Sequence, residues 1–181
     1  MHPSTDDQLV LRFKAGDREA FGELYARYRP RVYRFALKLL QNSDQAEDCT
    51  QEAFLKAGRT VGGLLEASSL RAWLFSIVRN EVLEHFRKTR RNGQLTADDV
   101  WNGKSPHEDV VTGETTEIVQ HMIGLLKSEY REVLVLREYE QMSYTEIAAV
   151  TGDSESSVKS RLFKARKALV KTLKPYFGKK S

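Results

Sequence analysis

From Ser156 to Lys180 the sequence carries Lys159, Arg161, Lys164, Arg166, Lys167, Lys171, Lys174, Lys179 and Lys180 and no carboxylate. Cations at this density do one kind of chemistry well. They displace counterions from a polyanion and hold its phosphates, while short polar or forked side chains among them reach the edges of bases. The competing reading is a solvated helix face, because a charge run on a helix is usually that. The one-sidedness of the charge favours phosphate.

Such a surface needs an element to present it. Ser143 is followed three residues later by Glu146, the spacing of a capping box, and Ile147, Ala148 and Val150 supply a short apolar face, so a first helix is expected from Ser143 to about Gly152. After a turn, Ser154 is placed to cap a second helix whose Val158, Leu162, Ala165 and Leu169 recur at three-to-four spacing. Lys159, Ser160, Lys164 and Lys167 stay outside that stripe. A short helix, a tight turn and a longer basic helix make a helix-turn-helix, whose second helix fits the DNA major groove; a purely structural helical pair is the plain alternative.

With 181 residues, of which 40% are hydrophobic, the chain can form one domain or two small ones. The formal charge is +4, from 29 basic and 25 acidic residues, and the two signs occupy different segments. Cys49 is the single cysteine, so no disulfide can form within the chain, and its place on the apolar side of a helical pattern reads as structural. His2, His85, His107 and His121 lack metal-ligand spacing, so no metal and no cofactor is expected. No apolar run is long enough to cross a bilayer and the N-terminus does not resemble a signal peptide, so the expected location is the cytoplasm.

Ahead of the basic helix the pattern is helical throughout. Asp6 to Lys14 reads as a short helix with Leu9, Val10 and Phe13 inward. Asp17 leads into a longer one carrying Phe21, Leu24, Tyr25, Tyr28, Val32, Ala36 and Leu40, which Pro30 is expected to kink or break. A third helix, about Ser43 to Gly58 with Ser43 as its cap, turns Ala46, Cys49, Ala53, Phe54 and Ala57 inward and Asp44, Asp48, Gln51, Glu52 and Lys56 outward. Its acidic face opposes phosphate and suits either solvent or a basic protein surface. A glycine-containing loop, Val61 to Ser69, precedes a helix with Leu70, Trp73, Leu74, Ile77, Val78, Val82 and Phe86 inward and Asn80, Arg87 and Lys88 on a basic side fit for strand backbones and unstacked bases.

Asn92 to Thr116 is acidic, without helical period, and long for an internal loop, which makes it a linker between two modules. Trp101 is its candidate anchor. Glu117 to Lys127, with Ile118, Met122, Leu125 and Leu126 inward, and a helix capped by Ser128 then complete a four-helix unit with the helix-turn-helix. The expected fold is all-α: two small helical domains, residues 1–91 and 117–181, joined by a flexible linker, 92–116. No nucleophile and base stand together, so neither catalytic residues nor a small-molecule substrate are expected.

Read in order, LYARYRPRVYRFALKLL, DQAEDCTQEAFLKA, SLRAWLFSIVRNEVLEHFRKTRR and LKSEYREVLVLREYEQMSYTEIAAVTGDSESSVKSRLFKARKAL resemble the group IV, or extracytoplasmic function (ECF), sigma factors of the bacterial sigma-70 family over nearly the whole chain. The resemblance implies a promoter-recognition subunit that joins core RNA polymerase and performs no chemistry itself. Asp48, Gln51 and Glu52 would bind polymerase. Asn80, Arg87 and Lys88 would meet the proximal promoter element, and Lys159, Ser160, Arg161, Phe163, Lys164 and Lys167 the distal one. Phe163 is either core or an apolar contact to a thymine methyl or sugar. An anti-sigma factor, able to hold the protein at the membrane, is a further candidate partner. A two-domain regulator that never joins polymerase explains the basic helix equally well but leaves the acidic face and the linker without a job. Two residues depart from the family pattern: Asp153 stands where a small aliphatic residue is usual, and Ser156 where Gly is frequent. Asp153 is expected to cap the helix that follows.

Overall fold

The computed structural model describes residues 5–60, 70–91 and 115–177. The loop at 61–69, most of the linker with Trp101, and the terminal Lys179 and Lys180 lie outside them. Among the described residues the chain forms eight α-helices and no strand, gathered into two compact units.

In the first unit, α1 (Asp6–Lys14) starts at a capping box that periodicity does not reveal, in which Thr5 and Gln8 satisfy each other's backbone N–H groups. Leu9 and Val10 are buried, and Asp6 accepts hydrogen bonds from Arg27 and Tyr28 of α2 (Arg18–Leu40). Arg12 reaches Asp17, the cap of α2, at 2.7 Å and Glu23 at 2.9 Å. Hydrogen bonding to Arg12 lowers the pKa of the Asp17 carboxyl from its ordinary value.

Of the two outcomes expected at Pro30, the break does not occur: α2 runs on as one helix to Leu40. Pro30 and Ala26 are both exposed, so the carbonyl that Pro30 cannot serve faces water, while Leu24, Tyr28, Val32, Phe35 and Ala36 hold the opposite side against the core. The helix stops where Gln41 takes a left-handed conformation, φ 54°.

Helix α3 (Ser43–Thr60) is capped by Asn42 rather than by Ser43: the Asn42 Oδ1 accepts from the Gln45 N–H at 3.0 Å, which makes Ser43 the first helical residue. Ala46, Cys49, Ala53, Phe54 and Ala57 are buried, as their spacing predicts. Tyr25 packs edge-on against Phe54 at 4.8 Å, and the Phe21 ring lies so close to Gly58 that a Cβ there would stand 3.2 Å from it.

In α4 (Leu70–Arg91) the buried side is Leu70, Ala72, Leu74, Phe75, Val78 and Val82. Trp73, Ile77 and Phe86, expected inward, are only half-buried. Two rings that periodicity overlooked, Phe35 of α2 and Phe75 of α4, are fully buried and meet edge-on at 5.3 Å. Lys56 and Glu81 join α3 to α4 at 2.6 Å.

The second unit begins with α5 (Thr115–Gly124), which ends before the expected Lys127. Met122, Ile123 and Leu126 are buried, whereas Leu125 is exposed. Ser128 does not cap α6 (Ser128–Leu134): Lys127 precedes the helix without a side-chain cap, and Ser128 is its first residue, buried. Instead, Arg131 ties the turn together by donating to the carbonyls of Gly124 and of Leu126, the latter at 3.0 Å. Burial pulls its guanidinium down to about 10. Helix α6 continues into a π-helical turn, Val135–Tyr139, then α7 (Tyr144–Thr151) and α8 (Glu155–Phe177). Val158, Leu162 and Ala165 of α8 are buried, while Leu169 is half-buried near the end of the stripe.

Candidate nucleic-acid interface

The helix-turn-helix is closed at each joint by residues whose types demand it. The Ser143 Oγ accepts from the Glu146 N–H at 3.1 Å and Glu146 accepts from the Ser143 N–H at 2.8 Å, so α7 starts at a complete capping box. Gly152 ends it at φ 75°, where a side chain would be strained, and donates its N–H to the Ala148 carbonyl at 2.9 Å. The Ser154 Oγ then accepts from the Ser157 N–H at 3.2 Å and starts α8. Asp153, expected as a cap, does something else: its two oxygens accept from the two Nη atoms of Arg161 at 2.6 and 3.0 Å.

With Ile147 and Val150 of α7 buried together with the stripe of α8, the other side of α8 presents Lys159, Ser160, Phe163, Lys164 and Lys167, all exposed. At 69% exposure Phe163 is not core. Lys171 extends the same basic surface. Lys159 places its Nζ 5.4 Å from the centre of the Tyr144 ring, over which Arg137 also lies at 5.0 Å. Arg166 is paired with Glu138 of the π-helical turn at 2.7 Å, and that bond raises its pKa above the ordinary guanidinium value.

Hence the basic helix is less one-sided than its own sequence suggests. Carboxylates from the turn before α8 and from the π-helical turn Val135–Tyr139 engage Arg161 and Arg166. Lys164, Lys167 and Lys171 carry the outward charge without a carboxylate partner among the described residues.

On α4, Asn80, Arg87 and Lys88 are exposed on one side. Asp48, Gln51 and Glu52 are exposed on α3 together with Leu55, a 54% exposed apolar side chain that falls one turn beyond them. Its helical phase relative to Asp48 and Glu52 was the available signal for including it in this face. Beside it, Glu47 accepts from Arg29 at 2.7 Å and from Gln51 at 3.3 Å, the first of which chiefly holds its carboxyl below the usual range. Among the described residues no three His, Cys, Asp or Glu are grouped to hold a metal, and no helix is long and apolar enough to cross a membrane.

Comparison with known proteins meets both units. The family description "Sigma-70 region 2" matches residues 24–92, and "Sigma-70, region 4" matches residues 116–169. The RNA polymerase sigma-H factor of Pseudomonas aeruginosa is 33% identical over 94% of each chain. The ECF RNA polymerase sigma-E factor of Escherichia coli is 30% identical over 94% of this chain and 95% of its own. Among solved structures, the sigma factor RpoE of Bartonella quintana, in complex with the anti-sigma factor NepR, superposes with a TM-score of 0.71 at 28% identity, over 85% of this chain and 96% of that one. CnrH, in complex with the cytosolic domain of CnrY, gives 0.70 at 26% identity, over 94% of this chain and 97% of that one. With both regions matched and a relative 33% identical along nearly its whole length, the chain belongs to the extracytoplasmic function group of sigma-70-type RNA polymerase sigma factors.

Proposed function

We propose that the protein joins bacterial core RNA polymerase in the cytoplasm and carries it to promoters that share a proximal and a distal element. Residues 1–91 act as the polymerase-binding and promoter-opening module, 92–116 as the linker and 117–181 as the distal-element module. Asp48, Gln51 and Glu52 form the docking face on polymerase. Asn80 holds an unstacked base of the proximal element, with Arg87 and Lys88 on the strand backbone. On α8, Lys159, Ser160, Phe163 and Lys164 meet the distal element and Lys167 its phosphates, while Arg161, expected among them, is engaged by Asp153. The protein contributes no catalysis, since polymerase makes the RNA. An anti-sigma factor is a further partner, by analogy with the solved relative that is a complex with one.

The observation that carries this reading is the presence, in one chain, of an exposed acidic face on α3 and an exposed basic face on α8. A regulator acting without polymerase would have no use for the first. Transcription by purified core enzyme on a genomic promoter library, with and without the protein, tests it. The expected result is a set of protein-dependent start sites preceded by a common two-part motif. A start-site profile unchanged by the protein would overturn it.

A further inference from the structure

Arg161 lies on α8 between Lys159 and Lys164, yet its guanidinium is already occupied. Both Nη atoms donate to the two oxygens of Asp153, and the side chains are 26% and 22% exposed. A fork of this kind matches a planar guanidinium to a planar carboxylate bond for bond, the same geometry in which arginine grips phosphate. The other ion pair of the helix differs in its access to water. Arg166 and Glu138 are 52% and 48% exposed, so water competes for them, whereas Asp153 and Arg161 shelter each other at the turn.

The geometry points to Asp153 as a built-in substitute for phosphate: it holds Arg161 away from DNA and so limits the sequence-independent affinity of the basic helix. The inference rests on α8 being the DNA-facing helix. Asp153 lies in the turn just past Gly152, eight residues before Arg161, and reaches it across the start of α8. Anchored there, the guanidinium adds no counterion release of its own, and contact with the distal element is left to Lys159, Ser160, Phe163 and Lys164. Removing the carboxylate leaves Arg161 with donors to satisfy on a helix already facing a polyanion, and a phosphate oxygen is the acceptor of matching shape.

The test uses the full-length chain and two probes, a random-sequence duplex and a duplex carrying a promoter recovered with the protein, each measured across a salt series. Asp153→Ala should tighten binding to both duplexes by about threefold to tenfold and steepen the salt slope by about 1, the amount expected for one additional phosphate contact. In the double variant, Asp153→Ala with Arg161→Ala, the gain from Asp153→Ala should disappear and the slope should return to that of the wild type. Asp153→Ser, together with thermal melting of each variant, guards against a misfolded protein being mistaken for a weak binder. Weaker binding by Asp153→Ala and Asp153→Ser at unchanged melting temperature, or a gain from Asp153→Ala that persists in the double variant, would overturn the proposal, as would a slope that stays constant throughout. Lys164→Ala separates this failure from that of the underlying reading. If Lys164→Ala weakens binding while the Asp153 variants do nothing, only the role of Asp153 falls; if Lys164→Ala is without effect on either duplex, α8 is not the DNA face and both fall.

Discussion

Arg131 is buried at the turn between α5 and α6, where Lys127 offers α6 no side-chain cap. Its acceptors there are the backbone carbonyls of Gly124 and Leu126, so one side chain holds two points of the turn at once. Arg131→Met keeps much of the volume and removes the donors, so it should cost about 1.5 to 3 kcal/mol, the range for hydrogen bonds to a charged group, seen as a lower melting temperature of the second unit. Equal melting of variant and wild type would mean that water serves those carbonyls. The sequence shows Arg131 only as another surface cation, because an arginine buried by its backbone partners leaves no periodic mark. Phe163 was ambiguous for a related reason: it stands next to Leu162 of the inward stripe, and helical phase left open whether its ring joins the core too.

Helix boundaries and faces were legible where the chemistry is local. The capping box of α7, its glycine stop and the start of α8 at Ser154 depend on residues within four positions of each other, and all are as the sequence implies. Caps with two adjacent candidates were harder, as Asn42 and Ser43 show, and the effect of Pro30 depended on which face of α2 met water. On α3 the outward set Asp48, Gln51 and Glu52 followed directly from helical phase. If that face docks on polymerase, the double change Asp48→Lys and Glu52→Lys should weaken binding to core enzyme by about tenfold or more through like-charge repulsion, without changing the circular dichroism spectrum. Unaltered affinity in a direct core-binding assay would assign the acidic face to solvent.

A two-module, all-α plan could be read from the sequence because each module repeats the signals of amphipathic helices and an acidic aperiodic stretch separates them. What could not be read were the pairings between distant positions: Phe35 with Phe75, Glu138 with Arg166, and Asp153 with Arg161. Periodicity reports which way a residue faces and is silent on what it meets. The proposed division of labour between the units gives a prediction for the molecule as a whole. In the holoenzyme, Asn80→Ala should slow promoter opening by about tenfold, read by permanganate reactivity of melted thymines, and leave preference for the distal element intact. Lys164→Ala should do the reverse, relaxing that preference by about 1 to 3 kcal/mol at one base step while opening on a saturating promoter proceeds normally. Variants that impaired both steps alike would show that the two units do not act separately.

Cys49 is the single thiol of the chain and is buried on the inner side of α3. Its rate of reaction with a small thiol-selective alkylating reagent is therefore a clock for the opening of the first unit, undisturbed by any second thiol. The same solitude lets a cysteine be introduced on the outer side of α8 and tagged selectively under native conditions, so that one molecule can report on the breathing of one unit and the engagement of the other.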